Sequence, residues 1–293
     1  MDQHSRRDFL KTGIAAATVA ATGTLSLRAA EPATQWVTLG KSDVKVTRLA
    51  FGTGTMSGRV QRQLGQEQFT KLVRYAYDRG IRFFETAESY GGMHEMLGIA
   101  LKGIPRDSYR LMSKVTTREA VDPMTKIDDL RKLANTDYFD VMLLHWQHEA
   151  SWPTDSLKWQ DGIEEAQSKR IVIGRGASVH GLPALRQVPE NKWLQLAMIR
   201  VNQKGTAMDG EQYNTSGPGN VTEVVEHIKQ TRQAGMGVIS MKLVGEGSFA
   251  TREDRQAAMR FAFRHAGVDA VTVGYKNTNE IDEAIDNIKL AFS

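Results

Sequence analysis

Four ionisable side chains stand at or just after the ends of apolar segments, and together they could move a proton. Glu85 ends the segment "IRFFE", and Tyr90 follows it on the next loop. Lys114 ends "RLMSK", and His145 ends "VMLLH". A lysine ammonium beside a phenol lowers the pKa of the phenol, and a carboxylate keeps that lysine charged and oriented. These residue types therefore predict proton donation to a carbonyl oxygen, or proton removal from an alcohol in the reverse direction, with the histidine bonding to the substrate oxygen.

The chain around these residues alternates strand-like and helix-like segments. The strand candidates are the segments "VTRLAFG", "RFFET", "YRLMSK", "FDVMLLH", "RIVIGRGAS", "WLQLAMIRVN", "GVISMK" and "DAVTVGY". Most segments between them carry apolar residues at i, i+3 and i+4, which predicts amphipathic helices. Nearly continuous apolar strands that alternate with helices indicate a parallel sheet covered by helices. Eight such units in about 260 residues fit a (β/α)8 TIM barrel, whose strands all deliver their carboxyl ends to one mouth.

A β-hairpin is predicted in front of this barrel, and one other architecture remains open. The segment Trp36–Gly52 holds two short alternating runs around "GKSD", the pattern of a hairpin that leads into a strand. The alternative is a doubly wound open sheet. It is disfavoured because "GTGTMSG", which follows the first strand, is not the G-x-G-x-x-G fingerprint of that fold.

The composition is that of an ordinary globular protein and excludes several kinds of site. The chain has 293 residues, of which 41% are hydrophobic and 25% charged, so it is long enough for a large core. Its formal net charge of +4 is small, and no nucleic-acid partner is expected. The sequence contains no cysteine, which excludes disulfides, thiolate nucleophiles and cysteine-based metal sites; no metal is expected.

The segment 1–30 has the layout of an export signal. The motif "SRRDFLK" places the twin arginines Arg6 and Arg7 before the modest apolar stretch "TGIAAATVAATGTLSL". That stretch is too short and too rich in small residues for a comfortable membrane span. The segment resembles a bacterial twin-arginine (Tat) signal, which implies the Tat export machinery as a partner and a periplasmic protein. We expect cleavage near Ala30, a barrel over 31–293 and no stable membrane span after processing; an uncleaved signal would leave the chain tethered to the membrane.

The catalytic motifs resemble those of one family. In this order and on these strands, "GIRFFETAESYGGMHEMLG", "LMSK" and "DVMLLHW" resemble the aldo-keto reductases, and the resemblance covers essentially all of Trp36–Ile288. Members of that family fold as a (β/α)8 barrel with an N-terminal hairpin and use an Asp–Tyr–Lys–His tetrad with NAD(P)H. The resemblance implies that Tyr90 is the proton donor and acceptor and that Lys114 tunes its pKa. It further implies that His145 orients the carbonyl and that Glu85 pairs with Lys114.

The resemblance also implies a set of residues around an NADP or NAD cofactor. The motifs "GTGTM", "GRGAS", "MKLVGEG" and "GYKNTNE" match cofactor-facing loops of the family. The implied cofactor-binding residues are Gly54, Thr55, Met56, Ser178, Asn202, Met241, Lys242, Gly274, Lys276, Asn277 and Glu280. The substrate would be a small aldehyde, ketone or keto-sugar, or the corresponding alcohol. Trp146 and His180 are expected to line its pocket, and His148 is expected on the loop surface.

Several positions depart from the family pattern and keep a second hypothesis open. Glu85 stands where the family has aspartate, and Met198 and Val201 replace the usual glutamine and tyrosine of the sixth strand. Ile281 falls about where an arginine often holds the 2′-phosphate of NADP, so the sequence leaves the choice between NAD and NADP open. The leading hypothesis is an NAD(P)-dependent oxidoreductase. The alternative is a non-redox barrel, either a binding or regulatory protein or a sugar-processing lyase, that retains the tetrad as a polar pocket.

Overall fold

The computed structural model describes residues 32–117, 120–213 and 218–293 of the chain. The predicted signal segment 1–30 lies outside these residues, as does part of the predicted loop 214–220. A short antiparallel hairpin comes first, formed by β1 (Trp36–Thr38) and β2 (Lys45–Thr47). In the described part of the chain, no helix is both long enough and apolar enough to cross a membrane.

Eight parallel strands follow the hairpin and close into a barrel. They are β3 (Leu49–Gly52), β4 (Phe83–Glu85), β5 (Arg110–Thr116), β6 (Phe139–Gln147), β7 (Val172–Val179), β8 (Leu196–Arg200), β9 (Gly237–Met241) and β10 (Ala270–Gly274). The barrel closes where β10 pairs with β3, in a register that sets Gly274 beside Gly52. The predicted (β/α)8 barrel with an N-terminal hairpin is therefore confirmed, and the open doubly wound sheet is excluded.

Helices cover the outside of the barrel and return the chain to the start of each next strand. They are α1 (Arg59–Arg62), α2 (Gly65–Asp78), α3 (Met93–Leu101), α4 (Pro123–Leu133), α5 (Trp152–Asp155), α6 (Leu157–Ser168), α7 (Leu182–Leu185), α8 (Val221–Gln233), α9 (Arg252–Arg260) and α10 (Thr278–Phe292). Side-chain caps fix several starts: Asp122 accepts the N–H of Thr125 at 2.8 Å, and Pro123 occupies the first turn of α4. Between β7 and β8 the only helix is the four-residue α7.

The barrel interior is apolar at its lower end and polar at its mouth. Alternate strand residues point inward, and their apolar members form one buried cluster: Ala50, Phe83, Met112, Val141, Leu143, Leu196, Met198, Ile239, Met241 and Ala270. Leu39, Val44 and Val46, on the hairpin and its turn, belong to the same cluster and plug the lower end. Because strand side chains alternate with a period of two, the next inward positions after Phe83 and Met112 belong to Glu85 and Lys114.

Two strands extend further than the sequence predicts. β5 continues past Lys114 to Thr116, and β6 continues past His145 to Gln147. The register between β6 and β7 shifts between Leu144 and Gln147. This irregularity lies next to His145, and such irregularities often re-aim a side chain beside an active site.

Candidate active site

The strands deliver a ring of polar side chains to the mouth of the barrel. Two residues beyond the last apolar inward positions come Glu85 on β4, Lys114 on β5 and His145 on β6. β8 adds Arg200, two residues beyond Met198. The structure therefore brings the four predicted strand-end and loop residues to the same end of one barrel, where parallel strands end together.

Glu85 and Lys114 form a buried ion pair. Glu85 is 2% exposed and Lys114 is 0% exposed. The ammonium donates to Oε1 of Glu85 and, at 2.9 Å, to the carbonyl oxygen of Thr86. The hydroxyl of Thr272 lies 3.4 Å from Oε2 of the same carboxylate. Burial lowers the pKa of Lys114, and the charge of Glu85 opposes this effect, so the carboxylate keeps the ammonium protonated in a dry environment.

Tyr90 lies beside this pair but does not have the lowered pKa that the sequence predicts. Its ring centroid is 4.8 Å from the ammonium of Lys114. Burial, followed by the charges of Glu85 and Glu246, raises the pKa of Tyr90 well above its ordinary value. The expectation that Lys114 lowers this pKa is corrected, because burial and the two carboxylates outweigh the ammonium at the phenol. The structure therefore contains a protonated phenol that can donate.

Tyr90 can take its position only because the residue that lies against its ring, Gly54, has no side chain. A Cβ added at Gly54 would lie 2.6 Å from the Tyr90 hydroxyl oxygen, a separation that real Cβ atoms essentially never show. Gly54 follows β3, the strand beside β4 in the barrel. Glycine at position 54 thus lets the phenol lie directly against the backbone of the loop after β3.

His145 packs edge-on against Tyr90 as a neutral imidazole. The two ring centroids are 5.5 Å apart at an interplanar angle of 86°. Nδ1 of His145 is 3.2 Å from the hydroxyl of Ser89, a partner that the sequence did not suggest. Burial, and then the charges of Lys114 and Lys242, hold the pKa of His145 well below its ordinary value. A neutral imidazole can donate one hydrogen bond to a substrate oxygen without adding a charge.

A second buried ion pair, which was not predicted from the sequence, joins Arg200 on β8 to Asp209 on the following loop. Arg200 is 5% exposed, and its Nε donates to Oδ1 of Asp209 at 2.7 Å. The same oxygen accepts the N–H of Gly181 at 2.6 Å. Burial raises the pKa of Asp209, against the opposing charge of Arg200. The alternation of Leu196, Met198 and Arg200 was a signal for an inward arginine, because the three residues share one face of the strand.

His180 lies next to this pair, in the half of the mouth that faces the predicted substrate pocket. It is 9% exposed, and its backbone N–H donates to the carbonyl oxygen of Gln147 at 2.7 Å. Its Nε2 is buried without a hydrogen-bond partner among the described residues. Burial, and then the charges of Arg200 and other groups at the mouth, including Lys242, hold the pKa of His180 well below its ordinary value. A buried nitrogen of this kind is available to a ligand oxygen.

Aromatic side chains form a wall on the same side of the mouth. Trp146 stacks on His148 with centroids 5.1 Å apart, and Tyr213 approaches the two rings at 5.3 and 4.5 Å. The side chain of His148 is only 14% exposed, so the prediction of a surface position was wrong; stacking between Trp146 and Tyr213 draws it inward. Trp146 itself adopts a left-handed backbone conformation, with φ of 58°.

Left-handed backbone conformations outside glycine are concentrated in the loops at the mouth. Residues other than glycine rarely adopt positive φ, and such residues often mark functional sites. Of the eight found in the described chain, Trp146 lies near the end of β6, and five follow barrel strands: Met56, Ser57, Ala207, Lys242 and Glu246. Met56 and Lys242 belong to the predicted cofactor residues, and Lys242 pairs with Glu246 at 2.7 Å. The loops after β3 and β9 are therefore held in unusual shapes on either side of β10.

Three more of the predicted cofactor-binding residues, Met241, Ser178 and Asn202, differ in how far their side chains are already bonded within the protein. Met241 is 7% exposed at the end of β9. The hydroxyl oxygen of Ser178 accepts the N–H of Trp146 at 3.0 Å and keeps its own proton for another partner. The amide of Asn202 bonds to backbone groups of Lys204, Thr206 and Lys242, so it organises its own loop.

The predicted adenosine-side residues lie at the start of α10. Gly274 leaves no room for a side chain, because an added Cβ would lie 2.2 Å from the hydroxyl oxygen of Thr55. Asn277 caps the helix by accepting the N–H of Glu280 at 3.1 Å. Lys276 is exposed, and its Nζ is 3.7 Å from Glu280. The structure thus places Thr55, Gly274, Lys276, Asn277 and Glu280 on the adjoining loops after β3 and β10.

The residues at the mouth fit a nicotinamide dinucleotide better than a metal. A protonated phenol and two neutral imidazoles lie at the centre, and loops that contain positive-φ residues flank one side. Within the described ranges, no three His, Asp or Glu side chains are grouped so that they could hold a metal ion. The carboxylates of Glu85 and Asp209 at the mouth are already paired with Lys114 and Arg200.

The fold and the mouth define a (β/α)8 barrel protein with a buried Glu–Lys pair, a tyrosine and a histidine at its strand ends. The Aldo/keto reductase family matches residues 48–259, and the chain belongs to this family. A twin-arginine translocation (TAT) pathway signal sequence matches residues 3–23, which confirms the predicted Tat signal.

Curated relatives match part of the chain. The probable aldo-keto reductase 1 of Glycine max is 28% identical over 185 residues, which cover 54% of this chain and 52% of that protein. The L-galactose dehydrogenase of Arabidopsis thaliana is 31% identical over 117 residues, 36% of each chain. The methylglyoxal reductase DkgB of Escherichia coli O157:H7 is 27% identical over 146 residues, covering 47% of this chain and 50% of that protein. The chain thus spans about half, or less, of the length of these relatives.

Solved structures match over most of the barrel. A putative aldo-keto reductase from Pseudomonas aeruginosa superposes with a TM-score of 0.72 at 18% identity, covering 89% of this chain and 97% of that one. An aldo-keto reductase from Klebsiella pneumoniae in complex with NADPH gives a TM-score of 0.64 at 18% identity, covering 87% and 89%. At such identities the likeness establishes the fold.

Proposed function

We propose that the chain is an NAD(P)-dependent oxidoreductase that interconverts a carbonyl compound and an alcohol. The observation that carries this proposal is the buried ion pair of Glu85 and Lys114, whose ammonium lies 4.8 Å from the ring centroid of Tyr90. His145 lies edge-on against the same phenol. A proton donor, a neutral hydrogen-bond donor and a buried charge pair at one barrel mouth match what carbonyl reduction requires of a protein.

Each side chain has a definite task in the proposed reaction. A bound nicotinamide would supply the hydride that reaches the carbonyl carbon. Tyr90 donates its proton to the carbonyl oxygen as negative charge develops there, and His145 orients that oxygen with a hydrogen bond. Glu85 and Lys114 hold the phenol in place, and the ammonium stabilises the phenolate that remains after the transfer. In the reverse direction the phenolate accepts the proton of the alcohol.

The cofactor would lie along the side of the mouth formed by β9, β10 and β3. Met241 and Ser178 are placed for its nicotinamide end, and Lys242 for its phosphates. Gly54, Thr55 and Met56 belong to the loop after β3, which adjoins the loop after β10 with Gly274, Lys276, Asn277 and Glu280. The Klebsiella pneumoniae relative in complex with NADPH supports this class of cofactor for the chain.

The substrate would enter from the opposite side, next to His180 and the aromatic wall. Trp146 and Tyr213 offer ring surfaces, and Nε2 of His180 offers an unpartnered nitrogen among the described residues. A small aldehyde, ketone or keto-sugar fits such a mixture of apolar and polar groups. The relatives named a methylglyoxal reductase and an L-galactose dehydrogenase make the same broad class of substrate a reasonable choice.

The Tat signal sequence supports export of the chain, and we propose a periplasmic location for the enzyme. The Tat pathway exports folded proteins, so the cofactor would be bound in the cytoplasm before export. Free NADPH is not regenerated outside the cytoplasm, and we therefore propose a tightly held cofactor that is recycled by paired oxidation and reduction of substrates. Mass spectrometry of small molecules released from the purified exported protein tests this point. Protein that carries no nucleotide after export would contradict it.

A turnover assay separates the enzyme from the non-redox alternative. The absorbance of NADH or NADPH is followed with aldehydes, ketones and keto-sugars in turn. Carbonyl-dependent loss of absorbance is the expected result. Tight nucleotide binding with no turnover for any of these carbonyls would favour the binding or regulatory barrel, and conversion of sugars without redox change would favour the lyase.

A further inference from the structure

The turn between β10 and α10 presents a carboxylate where a phosphate would otherwise bind. In α/β barrels, phosphate groups often lie against the loops after the seventh and eighth strands and against a helix N-terminus. In this chain the eighth barrel strand is β10 and the helix is α10. The inference below rests on the proposed function, which places the adenosine end of the dinucleotide at this turn.

Glu280 bonds to the backbone of this turn. Its Oε2 accepts the N–H of Lys276 at 2.8 Å, and its own N–H donates to Oδ1 of Asn277 at 3.1 Å. The arrangement resembles a capping box, except that Glu280 accepts the N–H of the residue before the N-cap Asn277. The backbone N–H groups of Lys276 and Glu280, which could bind a phosphate, are thus bonded to side-chain oxygen atoms of the protein. One of these acceptors belongs to the negatively charged carboxylate of Glu280.

The basic side chains around this turn are already paired with carboxylates of α10. Nζ of Lys276 is 3.7 Å from Glu280, and Arg255 makes two bonds to Glu283 at 2.6 and 2.8 Å. Ile281, which falls about where the family often has an arginine for the 2′-phosphate, is completely buried and presents no group to a ligand. A phosphate at this turn would therefore compete with internal carboxylates for each of these cations.

A buried acceptor lies beside the same turn, in addition to the partly exposed carboxylate of Glu280. Gln61 is 1% exposed, and its Nε2 lies 3.4 Å from the carbonyl oxygen of Tyr275. The Nε2 atom is also 2.9 Å from the position that a Cβ of Gly274 would take. Oε1 of Gln61 has no hydrogen-bond partner among the described residues. An acceptor of this kind is satisfied by a hydroxyl or amino donor, and a phosphate oxygen cannot supply one.

We propose that the adenosine end of this site selects NAD(H) over NADP(H), with Glu280 as the specificity-determining residue. A ribose 2′-hydroxyl can donate a hydrogen bond to the Glu280 carboxylate, the role that an acidic residue has in NAD-binding folds. A 2′-phosphate carries nearly two negative charges and has acceptor oxygens, so the same carboxylate repels it. This preference sets the chain apart from the Klebsiella pneumoniae relative in complex with NADPH.

Direct binding measurements test the proposal without relying on turnover. Dissociation constants of NADH and NADPH are measured by calorimetry at low salt for the unmodified chain and two variants. We expect NADPH to bind the unmodified chain at least about tenfold more weakly than NADH, because like charges then face each other. In Glu280→Gln the ratio should fall toward one, since glutamine keeps these hydrogen bonds at the helix start but removes the charge. High salt should reduce the ratio in the unmodified chain and leave it nearly constant in Glu280→Gln.

Asp286→Asn is the matched control variant. It removes one negative charge from the same helix, six residues beyond Glu280, which is about 9 Å further along the axis. The ratio of the two dissociation constants should stay close to that of the unmodified chain. Equal or tighter binding of NADPH by the unmodified chain would overturn the proposal, as would an unchanged ratio in Glu280→Gln. If neither nucleotide binds, the proposed function itself is refuted, and this inference falls with it.

Discussion

Replacing Glu85 by glutamine would leave a positive charge unpaired in the barrel interior. Lys114 is completely buried and has two acceptors, the carboxylate of Glu85 and the carbonyl oxygen of Thr86. In Glu85→Gln the ammonium keeps the carbonyl oxygen but loses the opposite charge. Breaking a buried ion pair from one side typically costs about 3–5 kcal/mol. We therefore expect the free energy of unfolding to fall by about that amount at neutral pH.

The pH dependence gives this prediction a second, independent readout. Burial lowers the pKa of Lys114 and Glu85 raises it, so removing Glu85 lowers the pKa that Lys114 has in the folded protein further. Between that lowered pKa and the ordinary value near 10.5, the unfolded chain binds a proton that the folded chain does not. Stability therefore rises with pH across this window. The deficit of Glu85→Gln should be largest near neutral pH and should shrink as the pH rises toward the ordinary lysine value.

Urea denaturation of a double-mutant cycle measures the effect. The cycle comprises Glu85→Gln, Lys114→Met and the double variant, which leaves no charge behind and should recover much of the loss. Glu67→Gln is the control, because it breaks an exposed pair with Lys71 and should change stability by less than about 0.5 kcal/mol. A loss below about 1 kcal/mol in Glu85→Gln, or losses that simply add in the double variant, would refute the reasoning.

Three further predictions follow from particular contacts. Gly54→Ala should lower turnover at least about tenfold by displacing the Tyr90 hydroxyl, whereas Gly91→Ala, whose added Cβ meets nothing within 4 Å, should leave turnover unchanged; equal effects would contradict this. The raised pKa of Tyr90 predicts that carbonyl reduction persists into alkaline solution while alcohol oxidation speeds up with pH, and initial rates in both directions across pH check it. Burial, and secondarily the charge of Lys114, lowers the pKa of His94 from 6.5 to about 4, so the unfolded chain gains a proton first as pH falls. Between pH 6.5 and pH 4, the free energy of unfolding of the unmodified chain should therefore fall by about 3 kcal/mol more than that of His94→Gln, as measured by urea denaturation. An equal fall in the two proteins would refute this.

The barrel and its strand-end residues were predictable because both follow from periodicity. Apolar segments that end in Glu85, Lys114 and His145 indicate which residues reach the mouth, and the closed parallel sheet brings those ends together. The same reasoning would have found Arg200, which continues the inward face of β8. The predicted cofactor residue of this region was instead Asn202, which lies beyond the end of that strand.

Contacts made by loops were not predictable from the sequence. Asp209 reaches Arg200 and Ser89 reaches His145 from loops whose paths no residue periodicity encodes. The direction of the Tyr90 pKa shift is set first by burial and then by the carboxylates of Glu85 and Glu246, and the sequence does not show that these surround the phenol. These features depend on distances of a few ångströms between segments far apart in sequence, so they require the three-dimensional structure.

The role of Tyr90 as proton donor is the central claim, and one comparison tests it most directly. Rates of carbonyl-dependent NADH or NADPH oxidation are measured for the unmodified chain, Tyr90→Phe and the control Tyr77→Phe, whose hydroxyl contacts Ser108 away from the mouth. Nucleotide dissociation constants are measured for all three. We expect the rate to fall by about 10²–10⁴-fold in Tyr90→Phe with unchanged nucleotide binding, and to stay normal in Tyr77→Phe. Turnover by Tyr90→Phe within a factor of about two of the unmodified chain would contradict it.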